Sequence, residues 1–151
     1  MAKVNPIFSM TSYGIYSTWD EWEKALPRVQ SFTTDVNAEL EIEFGYIINV
    51  KKGKGIKLSF FVYHPDVPDE HGNVMATFEG DVYVKNNDWD FYLGDTLWEP
   101  ISNKLGNWRF GIKYGDKIVA DKTFDIFDSE MSYADEYHLY TALRKKNKQR
   151  K

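Results

Sequence analysis

The stretch "HPDVPDEH" carries imidazole and carboxylate groups, which zinc and other divalent ions accept as ligands. The side chains concerned are His64, Asp66, Asp69, Glu70 and His71. A metal-dependent hydrolase that uses this loop is therefore one hypothesis for function. However, the spacing matches no known metal signature, and two prolines stiffen the segment. We favour a polar surface loop in which Asp, His and Gly make turns.

The stretch "NNDWDFYLGD", residues 86–95, is rich in the oxygen ligands that calcium prefers. It fails the EF-hand pattern because Tyr92 stands where the fifth-position ligand is needed and no glycine follows it. We interpret this stretch as a solvated turn with a strand, and we expect no metal and no other cofactor.

Glu39, Glu41 and Glu43 alternate with apolar residues and so line one face of a predicted strand. Alternate residues of a strand lie about 7 Å apart, and carboxylates in pairs can do acid–base work or glycoside hydrolysis. No distinct apolar environment marks one of the three for a raised pKa. We therefore favour an exposed acidic strand face over a catalytic site.

Common enzyme motifs are missing from the sequence, which has no G-x-S-x-G, no P-loop and no G-x-G-x-x-G. The histidines at 64, 71 and 138 have no evident nucleophile beside them. The chain has no cysteine, which excludes a disulfide, a thiolate metal site and a Cys nucleophile. We predict a protein that is not an enzyme.

Charge is unevenly spread along the 151 residues, whose net charge is −4. Without the last eight residues, "RKKNKQRK", the chain has 13 basic and 23 acidic side chains, a net charge of −10. An acidic body disfavours a broad nucleic-acid-binding face. Weak, salt-sensitive nucleic-acid binding by the tail is an alternative function. The basic residues of this tail are Arg144, Lys145, Lys146, Lys148, Arg150 and Lys151.

The start of the sequence, "MAKVNPIFSM", has no long apolar run and is not a signal peptide. Nothing later approaches the length of a membrane span. We therefore expect a cytoplasmic protein that does not enter a membrane.

Short stretches of alternating apolar and polar residues, separated by Gly, Asn and Asp turns, predict an all-β antiparallel sandwich or barrel. Residues 7–16 and 38–50 are two of its strands. The second should direct one row of side chains inward, namely Leu40, Ile42, Phe44, Tyr46, Ile48 and Val50.

The last two strands, within residues 106–127, form a predicted hairpin. A three-residue loop at 115–117 pairs Trp108 with Phe124, Ile112 with Ala120 and Tyr114 with Ile118. Its one misfit is Lys122 opposite Phe110, which requires a bulge or a snorkelling side chain.

Two helices are predicted outside the strands. Thr18 and Glu21 form a capping box for a short helix after the first strand, and Pro27 ends it. From Ser129 onward, helix formers carry an apolar stripe, with acids near the start and bases near the end. The predicted organisation is a β-sandwich domain, 1–127, followed by a C-terminal helix and basic tail, 128–151.

Four segments resemble a bacterial domain family of unknown function: "GIYSTWDEW", "EIEFGYIINVKKGKG", "FFVYHPDVPDEHGNV" and "GNWRFGIKYGDKIVADKTFDIF". The similarity covers roughly residues 10–127, and its most specific part is the closing "GxW…GDK…KTF" pattern. The resemblance implies an immunoglobulin-like sandwich and assigns no activity.

Phe61 and Tyr63 point away from Phe60 and Val62, to a sheet face that should be polar in a two-layer sandwich. Either a predicted helix covers this face, which we favour, or the face is a docking surface. The leading functional hypothesis is a non-catalytic cytoplasmic module that binds an unidentified protein through aromatic residues, with a homodimer left open. The candidate residues are Trp19, Trp22, Phe61, Tyr63, Trp89 and Trp98.

Overall fold

The structure is a computed structural model that describes residues 5–18, 25–68 and 71–128. Within these residues, nine strands follow one another: β1 Ile7–Tyr16, β2 Val29–Ser31, β3 Asp35–Asn37, β4 Glu43–Lys51, β5 Lys57–Tyr63, β6 Phe78–Tyr83, β7 Asp88–Thr96, β8 Gly106–Tyr114 and β9 Lys117–Phe127. A 3₁₀ turn, Ile101–Asn103, precedes β8. The two predicted helices fall on residues 19–24 and 129–151, outside the described residues.

The strands form two sheets. The four-stranded sheet has the order β2-β1-β4-β7, and the five-stranded sheet has the order β3-β9-β8-β5-β6. Neighbouring strands are antiparallel except for β3, which runs parallel to β9. The prediction of an all-β sandwich is therefore confirmed. In the part of the chain that the structure describes, no helix is long and apolar enough to cross a membrane.

Aromatic rings fill the space between the two sheets. Phe44 of β4 lies with its ring centroid 5.7 Å from that of Trp108, 5.5 Å from that of Phe110 and 5.7 Å from that of Phe124. All three contacts are edge-to-face, the arrangement that ring quadrupoles favour. Tyr46 donates its hydroxyl to the Phe110 carbonyl oxygen across the interface at 3.0 Å, and burial raises the pKa of Tyr46.

The predicted strand 38–50 is shorter than expected, because β4 begins only at Glu43. A turn at residues 40–41, with Glu41 at a φ of +65°, breaks the alternation before that point. Leu40 is therefore 50% exposed and does not face inward with Phe44. Glu39 lies outside the strand as well, so the predicted face of three glutamates does not exist.

The 106–127 hairpin keeps most of the predicted register. Trp108 pairs with Phe124, and Ile112 pairs with Ala120, as expected. The loop, however, has two residues, and Tyr114 pairs with Lys117 instead of Ile118. A bulge beyond the Ile112–Ala120 pair leaves Val119 without a paired residue on β8. Because of this extra residue, Trp108 and Ile112 still lie on the same face as Phe124 and Ala120. Without the bulge, a two-residue loop would place apolar side chains opposite polar ones on the same face of the hairpin.

Lys122 lies opposite Phe110, as the predicted register required. Its ammonium nitrogen lies 3.9 Å from the centroid of the Tyr13 ring. The cation therefore rests on an aromatic face at the sandwich margin, and the predicted snorkelling explains the misfit.

We predict that Phe44→Ala lowers the free energy of unfolding by about 3–5 kcal/mol, because it empties the centre of the ring cluster. Urea denaturation followed by circular dichroism measures the change. Phe32→Ala is the matched control, since Phe32 is 63% exposed and should lose about 1 kcal/mol or less. Equal losses from the two variants would show that the ring cluster is not the core.

Candidate functional site

An aromatic ring lies flat on the outer face of the five-stranded sheet. Phe61 of β5 is directly opposite Gly111 of β8, and its ring occupies the space where a side chain at 111 would be. A Cβ at Gly111 would lie only 2.0 Å from Phe61 Cζ. The missing side chain of Gly111 therefore lets Phe61 be 94% buried, with 6% exposed, on a face that normally carries polar groups.

Tyr63 and Arg109 extend this ring along the sheet. The Tyr63 ring centroid lies 4.7 Å from that of Phe61. The guanidinium carbon of Arg109 lies 5.3 Å from the Phe61 centroid and 5.9 Å from the Tyr63 centroid, within cation–π distance of both. The cation therefore caps the two rings from the neighbouring strand.

Asp121 holds the Arg109 side chain in place. Arg109 donates from Nε at 2.9 Å and from Nη2 at 2.7 Å, one bond to each carboxylate oxygen. These hydrogen bonds lower the pKa of Asp121. Because two bonds define the plane of the guanidinium, the ion pair positions Arg109 over the rings. Both side chains are 38% exposed, so we assign the pair an orienting role.

A shallow pocket of about 390 Å³ opens beside Phe61 and Tyr63, and its polar lining includes Ser59, Glu79, Asp81 and Lys113. Ser59 donates its hydroxyl to Asp81 at 2.9 Å, which closes one wall. The Lys113 ammonium lies 5.6 Å from the Phe61 centroid, and within the described residues it has no ion pair. We call the set Phe61, Tyr63, Arg109 and Lys113 the Phe61 patch.

Tyr63 is 43% exposed, so no described part of the chain covers the patch. The helices that were predicted to cover it lie on residues 19–24 and 129–151, outside the described residues. Arg109 and Lys113 were not among the residues chosen from sequence. The alternation of the hairpin strand could have identified them. If Phe110 and Ile112 point inward, Arg109, Gly111 and Lys113 point outward.

The other aromatic candidates lie elsewhere. Trp89 stacks on Phe91 at the inner side of edge strand β7, with ring centroids 5.3 Å apart. Trp98 lies in the loop after β7, at the rim of a different groove. The described structure thus brings together only Phe61 and Tyr63 of the predicted aromatic set. Trp19, Trp22 and the basic tail residues from 144 to 151 lie outside the described residues.

The histidine loop is tied to its own backbone. The His64 ring nitrogens lie 2.7 Å from the Pro65 carbonyl oxygen and 3.0 Å from that of Ala76. Its ring also lies 5.8 Å from the Trp108 ring, between centroids. Both nitrogens face carbonyl oxygens, and a neutral imidazole donates to one of them according to its tautomer. His64 therefore braces the loop. Apart from residues 69 and 70, which are not described, no three ligands in the described loop or its surroundings form a metal-binding group.

Glu43 contradicts the prediction that none of the three glutamates has a special environment. At the start of β4 it is 3% exposed. Tyr92 donates its hydroxyl to Oε2, and Thr96 donates its hydroxyl to Oε1, both at 2.5 Å. Burial raises the pKa of Glu43, and the two hydrogen bonds oppose that effect. Because both oxygens are occupied and water is excluded, the group is a structural acid.

Asp95, the residue before Thr96, is a second perturbed carboxyl group. Burial raises the pKa of Asp95 to about 6, and the charge of Glu43 adds to this effect. The Thr96 backbone N–H donates to Asp95 at 2.8 Å and works in the opposite direction, as does His64. This end of the four-stranded sheet therefore contains two acids whose deprotonation is disfavoured by the fold.

Comparisons with known proteins agree with this architecture. A model of the family described as "Domain of unknown function (DUF3859)" matches residues 4–126. A crystal structure of an immunoglobulin-like protein from Pseudomonas aeruginosa superposes with a TM-score of 0.62 at 23% identity, covering 83% of this chain and 95% of that one. No curated protein matches the chain. The predicted immunoglobulin-like sandwich and the resemblance to a bacterial family of unknown function are confirmed.

We predict that Asp95→Asn stabilises the protein at neutral pH. The fold raises the pKa of Asp95, so protonated Asp95 favours the folded state. This contribution to stability is complete at pH values below the pKa of Asp95 in the unfolded chain. It is lost as the pH rises through about 6. Asparagine carries no charge and keeps the oxygen that accepts the hydrogen bond from the Thr96 N–H. At neutral pH, Asp95→Asn should therefore raise the free energy of unfolding by roughly 1–3 kcal/mol.

Urea denaturation of both proteins between about pH 4 and pH 7.5 tests this linkage. The gain in unfolding free energy should narrow steadily as the pH falls. Asp116→Asn, in the exposed hairpin turn, controls for the loss of a negative charge. Stability curves of wild type and Asp95→Asn that stay parallel over this range would contradict the assignment.

Proposed function

The chain belongs to the DUF3859 family of domains of unknown function, and we propose that it is a non-catalytic cytoplasmic module that binds another protein through the Phe61 patch. The observation that carries the proposal is the packing of Phe61 on Gly111, with Tyr63 and Arg109 beside it, on an outer sheet face. Outer faces of sandwiches are ordinarily polar. An aromatic centre there is typical of a docking surface.

The composition of the patch supports this proposal. Tyrosine and arginine are enriched among the residues that dominate binding energy at protein interfaces. In the patch, Tyr63 is 43% exposed and Arg109 presents its guanidinium over two rings. The fully desolvated centre of an interface is usually an aromatic anchor, and Phe61 with Tyr63 provides one.

The patch is also organised before a partner arrives. Phe61 is held by the space above Gly111, and Arg109 is held by two hydrogen bonds to Asp121. Ordering a free side chain on binding costs about 0.5–1.5 kcal/mol. A patch whose main side chains are already ordered avoids much of this cost.

The pocket beside the rings indicates the chemistry of the partner. It has a volume of about 390 Å³ and a mainly polar lining, and Phe61 and Tyr63 provide its aromatic wall. Lys113 lies at the same pocket, and within the described residues its ammonium forms no ion pair, although Glu79 and Asp81 are also in the lining. We infer that the partner packs an apolar group on the exposed Tyr63 ring and places a carboxylate near Lys113.

We predict that Tyr63→Ala weakens partner binding by more than tenfold, since truncation of a central aromatic typically costs at least about 2 kcal/mol. The partner is first captured from native lysate with the wild-type chain. Affinities of purified variants are then measured by calorimetry. Tyr83→Ala is the matched control, because Tyr83 is an exposed tyrosine at the far end of the same sheet.

Lys113→Glu tests the electrostatic part of the same proposal and should also weaken binding, with a smaller effect at high salt. Phe61→Ala is less informative, because Phe61 is packed and its loss also destabilises the sheet. Circular dichroism confirms that each variant is folded. A partner that binds Tyr63→Ala and Lys113→Glu as tightly as wild type would remove the Phe61 patch from the function.

A further inference from the structure

A second surface lies at the end of the sandwich, between the chain that enters β4 and the chain that leaves β7. It is a groove of about 630 Å³ lined by Leu40, Glu41, Thr96, Leu97, Trp98 and Glu99. The Glu41 N–H donates to the Leu97 carbonyl and the Leu97 N–H donates to the Ile42 carbonyl, both at 3.0 Å. These two bonds join the groove walls.

The groove combines an apolar surface with an acidic rim. Leu40 is 50% exposed and Trp98 is 40% exposed, although both are large apolar side chains. Glu41 and Glu99 are exposed beside them. The nearby Lys104 ammonium lies 4.4 Å from the Trp98 ring centroid and donates to the Pro100 carbonyl and to Asn103. Lys104 is only 1% exposed, so its ammonium group is not on the solvent-exposed surface of the groove.

The C-terminal segment leaves the domain close to this groove. The last pair of the parallel β3–β9 ladder joins Asn37 to Phe127, and the Ala38 N–H donates to the Phe127 carbonyl at 2.7 Å. Ala38 is two residues before Leu40. The strand that precedes residues 129–151 therefore ends beside the segment that leads into the groove wall.

We propose that residues 129–151 of the same chain occupy this groove. The sequence of this segment has both features that the groove requires. Its predicted apolar stripe matches the exposed Leu40 and Trp98, and its basic end, from Arg144 onward, matches Glu41 and Glu99. The residues of the stripe are Met131, Ala134, Tyr137, Tyr140 and Leu143.

The covalent connection favours this occupant over a second copy of the chain. A segment tethered next to its site has an effective concentration in the millimolar range. A contact that is weak between separate molecules is then largely formed within one molecule. Reach is sufficient, because 23 residues span about 35 Å even as a helix. The proposal is independent of the Phe61 patch, which lies on the outer face of the five-stranded sheet.

Paramagnetic NMR on the full-length chain tests the proposal. The protein has no cysteine, so Ala142→Cys gives a single site for a nitroxide label. The amide signals of Leu40, Glu41 and Trp98 should be strongly broadened relative to the reduced label. Leu40→Asp should lower this broadening several-fold, because it places a carboxylate among the apolar side chains of the segment. The cost of desolvating that carboxylate exceeds its screened attraction to the exposed basic end.

Ile118→Asp is the matched control, because Ile118 is an aliphatic residue that is 44% exposed at the hairpin end. It should leave the broadening unchanged. The proposal is overturned if the groove signals are not broadened, or if Leu40→Asp has no effect. A mixture of isotope-labelled chain without nitroxide and unlabelled chain with nitroxide identifies the remaining occupant. Equal broadening in that mixture would assign the groove to a second copy.

Discussion

The packing of one aromatic core determines which side chains lie on the inner and on the outer face of each sheet, because side chains alternate along a strand. The core requires Phe44 and Tyr46 on one sheet and Trp108 and Phe110 on the other to point inward. Since neighbouring residues of a strand point to opposite faces, the residues between them must point outward. On β5 and β8 this rule places Phe61, Arg109 and Lys113 together on the outer face. The Phe61 patch thus exists because the core beneath it is packed.

The alternation of the strands was readable from the sequence, and so were the hairpin pairs Trp108–Phe124 and Ile112–Ala120. The residue at which β4 begins could not be read from the sequence. Leu40 fits the apolar alternation, and only the positive φ of Glu41 interrupts the strand. The environment of Glu43 was equally hidden. Tyr92 and Thr96 are 49 and 53 residues away in sequence, and their proximity depends on the β4–β7 register, which no local pattern reveals.

The candidate site was predictable in part for the same reason. Local alternation identified Phe61 and Tyr63 as outward residues, and both lie in the patch. Trp89 and Trp98 were grouped with them because they are aromatic, yet they lie at the β7 edge and in the loop after it. Residue type predicts that a side chain contributes to a surface. Which surface it joins depends on the order of strands in the sheets.

Charge distinguishes the two surfaces and links them to the chain as a whole. The Phe61 patch carries the cations of Arg109 and Lys113, with the carboxylates of Asp121 and Asp81 beside them. The groove lining contributes the carboxylates of Glu41 and Glu99. A basic segment such as the C-terminal tail is attracted to the carboxylates of the groove. In this account, the tail occupies the groove and the Phe61 patch stays free for another protein.

Hydroxyl-radical footprinting of the isolated full-length protein tests this division most directly, because it reports the exposure of individual aromatic rings. The account predicts that Tyr63 is oxidised nearly as fast as Tyr83, while Trp98 is protected and becomes reactive when Leu40→Asp weakens tail docking. Protection of Tyr63 in the absence of any partner, with Trp98 freely oxidised, would contradict the account. That result would show that the chain covers its own aromatic patch and leaves the groove open.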